Sequence, residues 1–405
     1  MSVNSGQRRL VLLAPIEPAS AGNGLAMRSE LFRRAAAVDF EVEVVVVPVA
    51  GGACAPATIA VPPDAARARA GVRSLLAERV WRERLAGAGR LPRGARAASP
   101  GLVDALAQAL GERRFDALHV MRAYLAPLGV ALGERLGVPS RTLDLDDDDV
   151  AVLSSVYGER GEASAYERLI GVFGGLYGGL CAASPIDARA IAARQSLRVE
   201  HVPNAVEIPP RRHTPAGAEL RLLFVGNLTY LPNVQAAQAL VNDVLPRLRE
   251  RLGGRPLRVT LAGRARADVQ RLASPSVRVL GFVDDLGELY TQADAVVAPL
   301  RGGGGTRIKL LEAFAHGVPV IATPAAAEGL TVADGRELLL GSDAEQIAGA
   351  VAALASDAAL GARLVEHAGR LVRECYSHEA VIPRVRAFLA GAPQGSGAPQ
   401  PLLSS

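Results

Sequence analysis

The chain has 405 residues, with 45 Lys plus Arg against 41 Asp plus Glu, and the resulting net charge of +4 is too small to imply a nucleic-acid partner. Hydrophobic residues make up 49% of it, which supplies two cores and excludes a fibrous or disordered class. The three cysteines, Cys54, Cys181 and Cys375, are scattered and odd in number, which excludes a disulfide framework and metal-ligand spacing and suits a reducing cytoplasm.

Residues 9–14 read as a strand, and no long apolar core precedes them, so no signal peptide is expected. A loop with Gly22-Asn23-Gly24 follows, then a helix over 28–37 and a strand over 41–49. This is the opening unit of a doubly wound α/β domain, although the three-glycine dinucleotide fingerprint is missing. The apolar run 42–50, interrupted by Glu43, falls far short of a bilayer span. Residues 67–96 hold nine arginines against Glu78 and Glu83 and read as a basic helix around Val72, Leu76, Val80 and Trp81. Such a helix suits either an anionic lipid surface or a plain solvated face.

Strands are expected at 117–121, with Arg122 just past the end, and at 141–145, running into the acidic run Asp144, Asp146, Asp147, Asp148 and Asp149. Ligands collect at the carboxyl ends of strands in such sheets, so Arg122 and the acids are cleft candidates. Consecutive acids cannot all face one ion, and the run reads as a solvated loop rather than a metal site. A helix over 157–177 and strands over 179–184 and 198–202 complete this half. Pro203, Pro209, Pro210 and Pro215 then mark a domain boundary.

The second half restarts the plan, with a strand at 220–225, a loop at 226–233, a helix at 234–252 and a strand at 257–262. A further strand at 277–280 leads into Gly281-Phe282-Val283-Asp284-Asp285. The stretch 301–319 lies between two apolar runs and reads as a strand-to-helix crossover. In it Gly302, Gly303, Gly304 and Gly305 present unobstructed amides, Thr306 is the expected N-cap, Leu310, Leu311 and Phe314 form a buried stripe, and Gly317 closes the helix. Arg307 and Lys309 fall in its first turn, where cations oppose the helix dipole unless an anion sits between them. Lys309 is also the only lysine in the chain. A compact charge on a flexible stem suits a diphosphate oxygen beside a sugar better than a planar fork. The expected domains are 1–207 and 219–375, joined by a linker at 208–218, with a helix at 376–390 returning to the first domain and a disordered tail at 391–405.

The ordered set Phe224-Val225-Gly226-Asn227, Gly281-Phe282-Val283-Asp284-Asp285, Ala293-Asp294, Pro299-Leu300, Leu311-Glu312-Ala313 and Gly317-Val318-Pro319-Val320 resembles the retaining nucleotide-sugar glycosyltransferases of the GT-B type, in the large group-1 (family 4) set. The resemblance covers nearly the whole chain and is strongest over 223–329. It implies two Rossmann-like doubly wound domains facing a cleft, with the second binding a nucleoside-diphosphate sugar and the first a saccharide or lipid-linked acceptor. Glu312 then matches the residue that holds the ribose hydroxyls. Phe282 and Val283 lie beside the nucleobase, and Gly226 and Asn227 lie where the backbone approaches the phosphates. The loop Gly303, Gly304, Gly305 and Thr306 joins the donor site, and Gly22, Asn23, Gly24 and Arg122 fall on the acceptor side. Arg307, Lys309 and Glu312 form the expected catalytic set. Arg307, Lys309 and the loop amides stabilise the leaving diphosphate, with no metal or cofactor required.

Three departures stand out. Gly304 occupies a position where the family often has glutamate. No basic residue occurs over 226–233, and Met121 falls near the family's histidine, while His119 reads as core. These features resemble a subgroup with a Gly-Gly-Thr-Arg-x-Lys loop associated with exopolysaccharide assembly. The implied setting is the cytoplasm or the inner face of the cell membrane, with contact through 67–96 and no nucleic acid. Two alternatives are a sugar-nucleotide epimerase on the same fold and a non-catalytic nucleotide-sugar-binding protein.

Overall fold

A computed structural model describes residues 7–48, 59–60, 91–92, 95, 100–210, 217–304 and 307–391. The chain forms two parallel sheets. The first has the order β3-β2-β1-β4-β5-β6-β7, built from β1 (Arg9–Ala14), β2 (Glu41–Val46), β3 (Ile59–Ala60), β4 (Ala117–Met121), β5 (Ser140–Asp146), β6 (Gly179–Ala182) and β7 (Val199–His201). The second has the order β10-β9-β8-β11-β12-β13, from β8 (Leu220–Val225), β9 (Leu257–Ala262), β10 (Val277–Leu280), β11 (Ala295–Ala298), β12 (Val320–Ala322) and β13 (Leu339–Leu340).

Each central strand is apolar along its length because helices cover both faces of its sheet. In β1, Val11 and Leu13 enter one core while Leu10, Leu12 and Ala14 enter the core on the opposite face. Strand order reverses between β1 and β4 in one sheet and between β8 and β11 in the other. These switch points open crevices at the carboxyl ends of the strands, and the two crevices face each other.

Several elements differ from expectation in instructive ways. The first helix spans Gly24–Ala36, four residues earlier at its start than the expected 28, because Asn23 caps it by accepting from Leu25 N at 2.9 Å. The helix expected over 157–177 is shortened to Arg160–Phe173. The one expected over 234–252 begins at Leu231 and contains a π-turn at Leu240–Val244. Pro246, just beyond it, has no N–H to give and crowds the turn before it, and Leu245 N bonds Leu240 O five residues back.

The acidic run is a correction: it is not a solvated loop. Asp144 is fully buried and takes a two-pronged contact from Arg28, Nε to Oδ2 at 2.6 Å and Nη2 to Oδ1 at 2.8 Å. Arg28 also donates to Asn204 Oδ1 at 3.0 Å, on the segment leaving the domain. Arg122 pairs with Asp146 at 3.0 Å and Asp149 at 2.5 Å, and Arg194 pairs with Asp148 at 2.6 Å. Buried charges persist only when paired and hydrogen-bonded, and three arginines from distant sequence meet that condition here. Arg122 and Asp146 take left-handed backbone, φ 76° and 61°, to reach these contacts.

The last helix, His378–Leu389, starts at Ser377, whose hydroxyl accepts from Ala380 N at 3.2 Å. It packs on the first domain. Val381, Val385 and Phe388 join the core formed by Leu31, Phe32 and Met121, and Arg386 grips Asp39 at 2.7 and 2.8 Å. His119 is buried there, stacked on Phe32 with ring centroids 4.3 Å apart, and burial pushes it down to about 3, so it is a neutral core residue. Among the described residues no single helix is long and apolar enough to cross a membrane. The basic segment 67–96 lies outside the described residues except for Leu91, Pro92 and Ala95, as does the tail beyond Gly391.

Candidate active site

A cleft of about 490 Å³ lies between the two crevices. Its second-domain wall comes from the ends of β8, β9, β10 and β11. Gly226 and Asn227 follow β8, Gly263 and Arg264 follow β9, Phe282 and Val283 follow β10, and Gly302 follows β11. The helix Ile308–Ala315 contributes Lys309 and Glu312, which share a face because they are three residues apart. The first-domain wall comes from Gly22, Asn23, Gly24 and Met27.

The helix begins one residue later than its sequence suggests. Arg307, not Thr306, is the cap residue, and no side chain caps the helix. Gly305 and Thr306 lie outside the described residues. Arg307 is buried and turns back on its own loop, donating Nη1 to Gly304 O and Nη2 to Gly303 O at 2.7 Å. It therefore shapes the glycine loop while its edge lines the cleft. The loop is also pressed against the first domain. A Cβ added at Gly304 would meet Val152 Cγ2 at 2.5 Å and Asp147 Cβ at 3.3 Å, so a side chain there requires the facing Val152, the loop or the domain to shift.

Lys309 directs Nζ to Asn233 Oδ1 at 2.6 Å and lies 4.6 Å from the centre of the Phe224 ring. A Cβ on Gly226 would stand 2.8 Å from this ammonium, which explains glycine at that position. Burial, with repulsion from Arg307 behind it, lowers Lys309 to about 7. Glu312 accepts from the Tyr290 hydroxyl at 2.9 Å, and burial outweighs that bond and the neighbouring lysine to push it up to about 7. Tyr290 is itself fixed by stacking on His316, centroids 4.8 Å apart. Gly263 takes φ +131° and has Gly226 O in the place a Cβ would occupy, so the turns after β8 and β9 touch backbone to backbone.

The structure thus gathers Gly22, Asn23, Gly24, Gly226, Asn227, Phe282, Val283, Arg307, Lys309 and Glu312 around one cleft, with Gly303 and Gly304 directly behind the wall. It does not bring Arg122 there, because that side chain is consumed by the acidic run. Sequence reasoning missed Tyr230, Asn233 and Arg264, which also line the cleft. Arg264 was findable, since it follows a strand end by two residues, and it has no ion-pair partner among the described residues. Asn233 carries no sequence signal of its own. Among the described residues no group of three or more His, Cys, Asp or Glu side chains converges as a metal site.

Residues 219–357 match the family model described as Glycosyl transferases group 1. The second domain is a group 1 glycosyltransferase domain. Its matched region includes Asn233, Arg264, Lys309 and Glu312, so most of the cleft belongs to this glycosyltransferase domain. No curated protein matches the chain. Among solved structures, the chain is similar to Anabaena HepE in complex with UDP and glucose, at 14% identity and a TM-score of 0.65, covering 95% of this chain and 99% of that one. It is also similar to sucrose-phosphate synthase from Thermosynechococcus elongatus, at 16% identity and a TM-score of 0.65, over 93% and 97%. A mutant of S. aureus TarM in complex with fondaparinux, alpha-GlcNAc-glycerol and UDP matches at 10% identity and a TM-score of 0.66, over 94% and 99%. At such identities the likeness speaks for the fold, the two-domain GT-B architecture around the glycosyltransferase domain.

Proposed function

We propose that the protein transfers a sugar from a nucleoside-diphosphate sugar to a saccharide or lipid-linked acceptor, with retention of configuration, in assembly of a cell-surface or exported polysaccharide. One observation carries this reading: Lys309 stands in the cleft with no carboxylate hydrogen-bonded to it, one helical turn from Glu312, between two facing switch-point crevices. A buried cation that no carboxylate touches calls for an anionic ligand, and a carboxylate one turn away accepts from hydroxyls beside it. UDP is bound in the HepE and TarM neighbours, which supports the same class of donor here.

In this reading the diphosphate lies against Lys309 and the turn at Gly226, where the absent side chain lets the ligand reach backbone. Charge grows on the leaving phosphate as the glycosidic bond breaks, and the lysine is worth most at that moment because the closed cleft excludes water. Glu312, oriented by Tyr290, takes the ribose hydroxyls, and Phe282 and Val283 flank the base. Gly22, Asn23 and Gly24 supply the acceptor side. The cations replace any metal, so a chelator leaves turnover unchanged. The basic segment 67–96 holds the enzyme on anionic lipid at the inner face of the membrane, which flotation with and without anionic vesicles tests.

The decisive experiment is thermal shift with a panel of nucleoside diphosphates and their sugars on wild type and Lys309→Ala, followed by a transfer assay with the best donor. Ligand bound only by the folded state raises its melting temperature. A shift that fades in the variant, with release of nucleoside diphosphate and a product of unchanged anomeric configuration, supports the reading. Binding without turnover reduces the protein to a nucleotide-sugar binder. Turnover that changes the donor sugar without releasing diphosphate makes it an epimerase.

A further inference from the structure

Asn233 lies in the first turn of the helix Leu231–Ala239, across the cleft wall from Lys309, and is 8% exposed. Its two amide ends are both engaged. Nδ2 donates to the Asn227 carbonyl at 3.0 Å, and Oδ1 accepts from Lys309 Nζ at 2.6 Å. The orientation is doubly determined, because a carbonyl can only accept and an ammonium can only donate. Only an amide satisfies both neighbours at once. A carboxylate there would face the Asn227 carbonyl with no proton to offer, and an alkyl group would leave both unsatisfied.

No carboxylate touches the ammonium among the described residues. The Phe224 ring stands on one side at 4.6 Å, and Gly226 leaves the space in front of it open. The charges that act on it are Arg307 at the start of its own helix, which repels it, and Glu312 one turn on, which attracts it from a distance while accepting from the Tyr290 hydroxyl; Arg264, on the turn after β9, lines the same cleft. The amide therefore does something an acid would not: it fixes where the charge is without cancelling it.

We propose that Asn233 is a positioning residue for the donor diphosphate, holding the Lys309 ammonium at a fixed point in the cleft and leaving its charge for the phosphate oxygens. This rests on the donor reading above and adds to it the residue that sets the strength and pH range of phosphate binding. Because the amide oxygen and a bound anion both favour the charged over the neutral lysine, anion binding is coupled to proton uptake at this one side chain.

The single lysine makes the test direct. Protein grown with lysine labelled at Nζ gives one lysine side-chain signal, that of Lys309, whose titration is followed in wild type, Asn233→Ala and Asn233→Asp. UDP, ADP and GDP affinities are measured on the same samples across pH 6 to 9 (on the order of the range flanking neutrality). Asn233→Asp is expected to move the Lys309 midpoint up by at least about one unit and to weaken binding of the preferred diphosphate by about tenfold or more, since the ammonium is then neutralised. Asn233→Ala is expected to lower the midpoint and weaken binding by about tenfold through the lost contact. A residue that merely supported the helix would leave the midpoint unmoved. An unmoved Lys309 midpoint in both variants, or tighter binding by Asn233→Asp, overturns the assignment while the donor reading stands. Failure of wild type to bind any of the three diphosphates overturns the donor reading and this inference with it.

Discussion

Glu312 and Lys309 sit one helical turn apart, and burial drives them toward the same value near neutrality from opposite sides. The signs fix the pH dependence of donor binding. Lysine is charged below about 7, so affinity for the diphosphate falls as pH rises through that value. Glutamate is ionised above about 7, so its acceptance of hydroxyls weakens as pH falls through it. Affinity for a nucleotide sugar, whose diphosphate has no ionisation of its own in this range, is expected to peak near neutral pH. Glu312→Gln should flatten the acid limb and Lys309→Met the alkaline limb, as read by calorimetric titration at a series of pH values. The Arg28 and Asp144 pair makes a different residue-scale statement. Removing either partner leaves the other charge buried, so Asp144→Asn or Arg28→Met should cost about 3–5 kcal/mol in denaturant unfolding. Replacing both with apolar groups of similar volume should recover part of that loss.

At the scale of elements, the crossover 301–319 was legible because its apolar stripe, Leu310, Leu311 and Phe314, has the helical period and is fully buried. The same holds for the parallel strands, whose continuous apolar runs announce burial on two faces. What stayed hidden was the set of contacts made by long side chains. Nothing in the spacing of Asp144 to Asp149 reveals that Arg28, Arg122 and Arg194 converge on them, because the partners lie tens of residues away in sequence. Asn233 was invisible for the same reason. The start of the crossover helix was misplaced by one residue because a threonine beside glycines looks like a cap, whereas Arg307 occupies that place and bonds backward. The glycine loop yields a sharp expectation. Gly304→Ala puts a methyl into Val152, so it should lower the melting temperature or open the cleft, with small-angle scattering showing the larger radius of gyration if the domains separate.

At the scale of the molecule, the cleft needs both domains. Phe282 stands over Gly22, Ile308 over Gly24, and Tyr230 faces Tyr157 with ring centroids 6.2 Å apart. The two-domain plan was readable from the restart of the strand and helix pattern after the prolines, but how the walls meet was not, since apposition across domains leaves no periodicity. The final helix belongs to this scale too. Phe388 meets Phe32 edge to face at 6.4 Å within the first domain's core, so Phe388→Ala should cost about 3–5 kcal/mol of that domain's stability, measured by protection of its amides against hydrogen exchange.

The polypeptide passes between the domains twice, once after β7 and once before the last helix, and the two passages touch. Val206 pairs with Ser377 in a parallel bridge, with Val206 N donating to Tyr376 O at 2.9 Å. Two adjacent tethers resist twisting in a way a single one does not, so relative movement of the halves is confined to bending about the line they share. A protease nick beside the exposed Ile208 would sever one passage and leave the other. The product would stay in one piece on a native gel, separate into two fragments in detergent, and swivel about axes that the intact enzyme forbids.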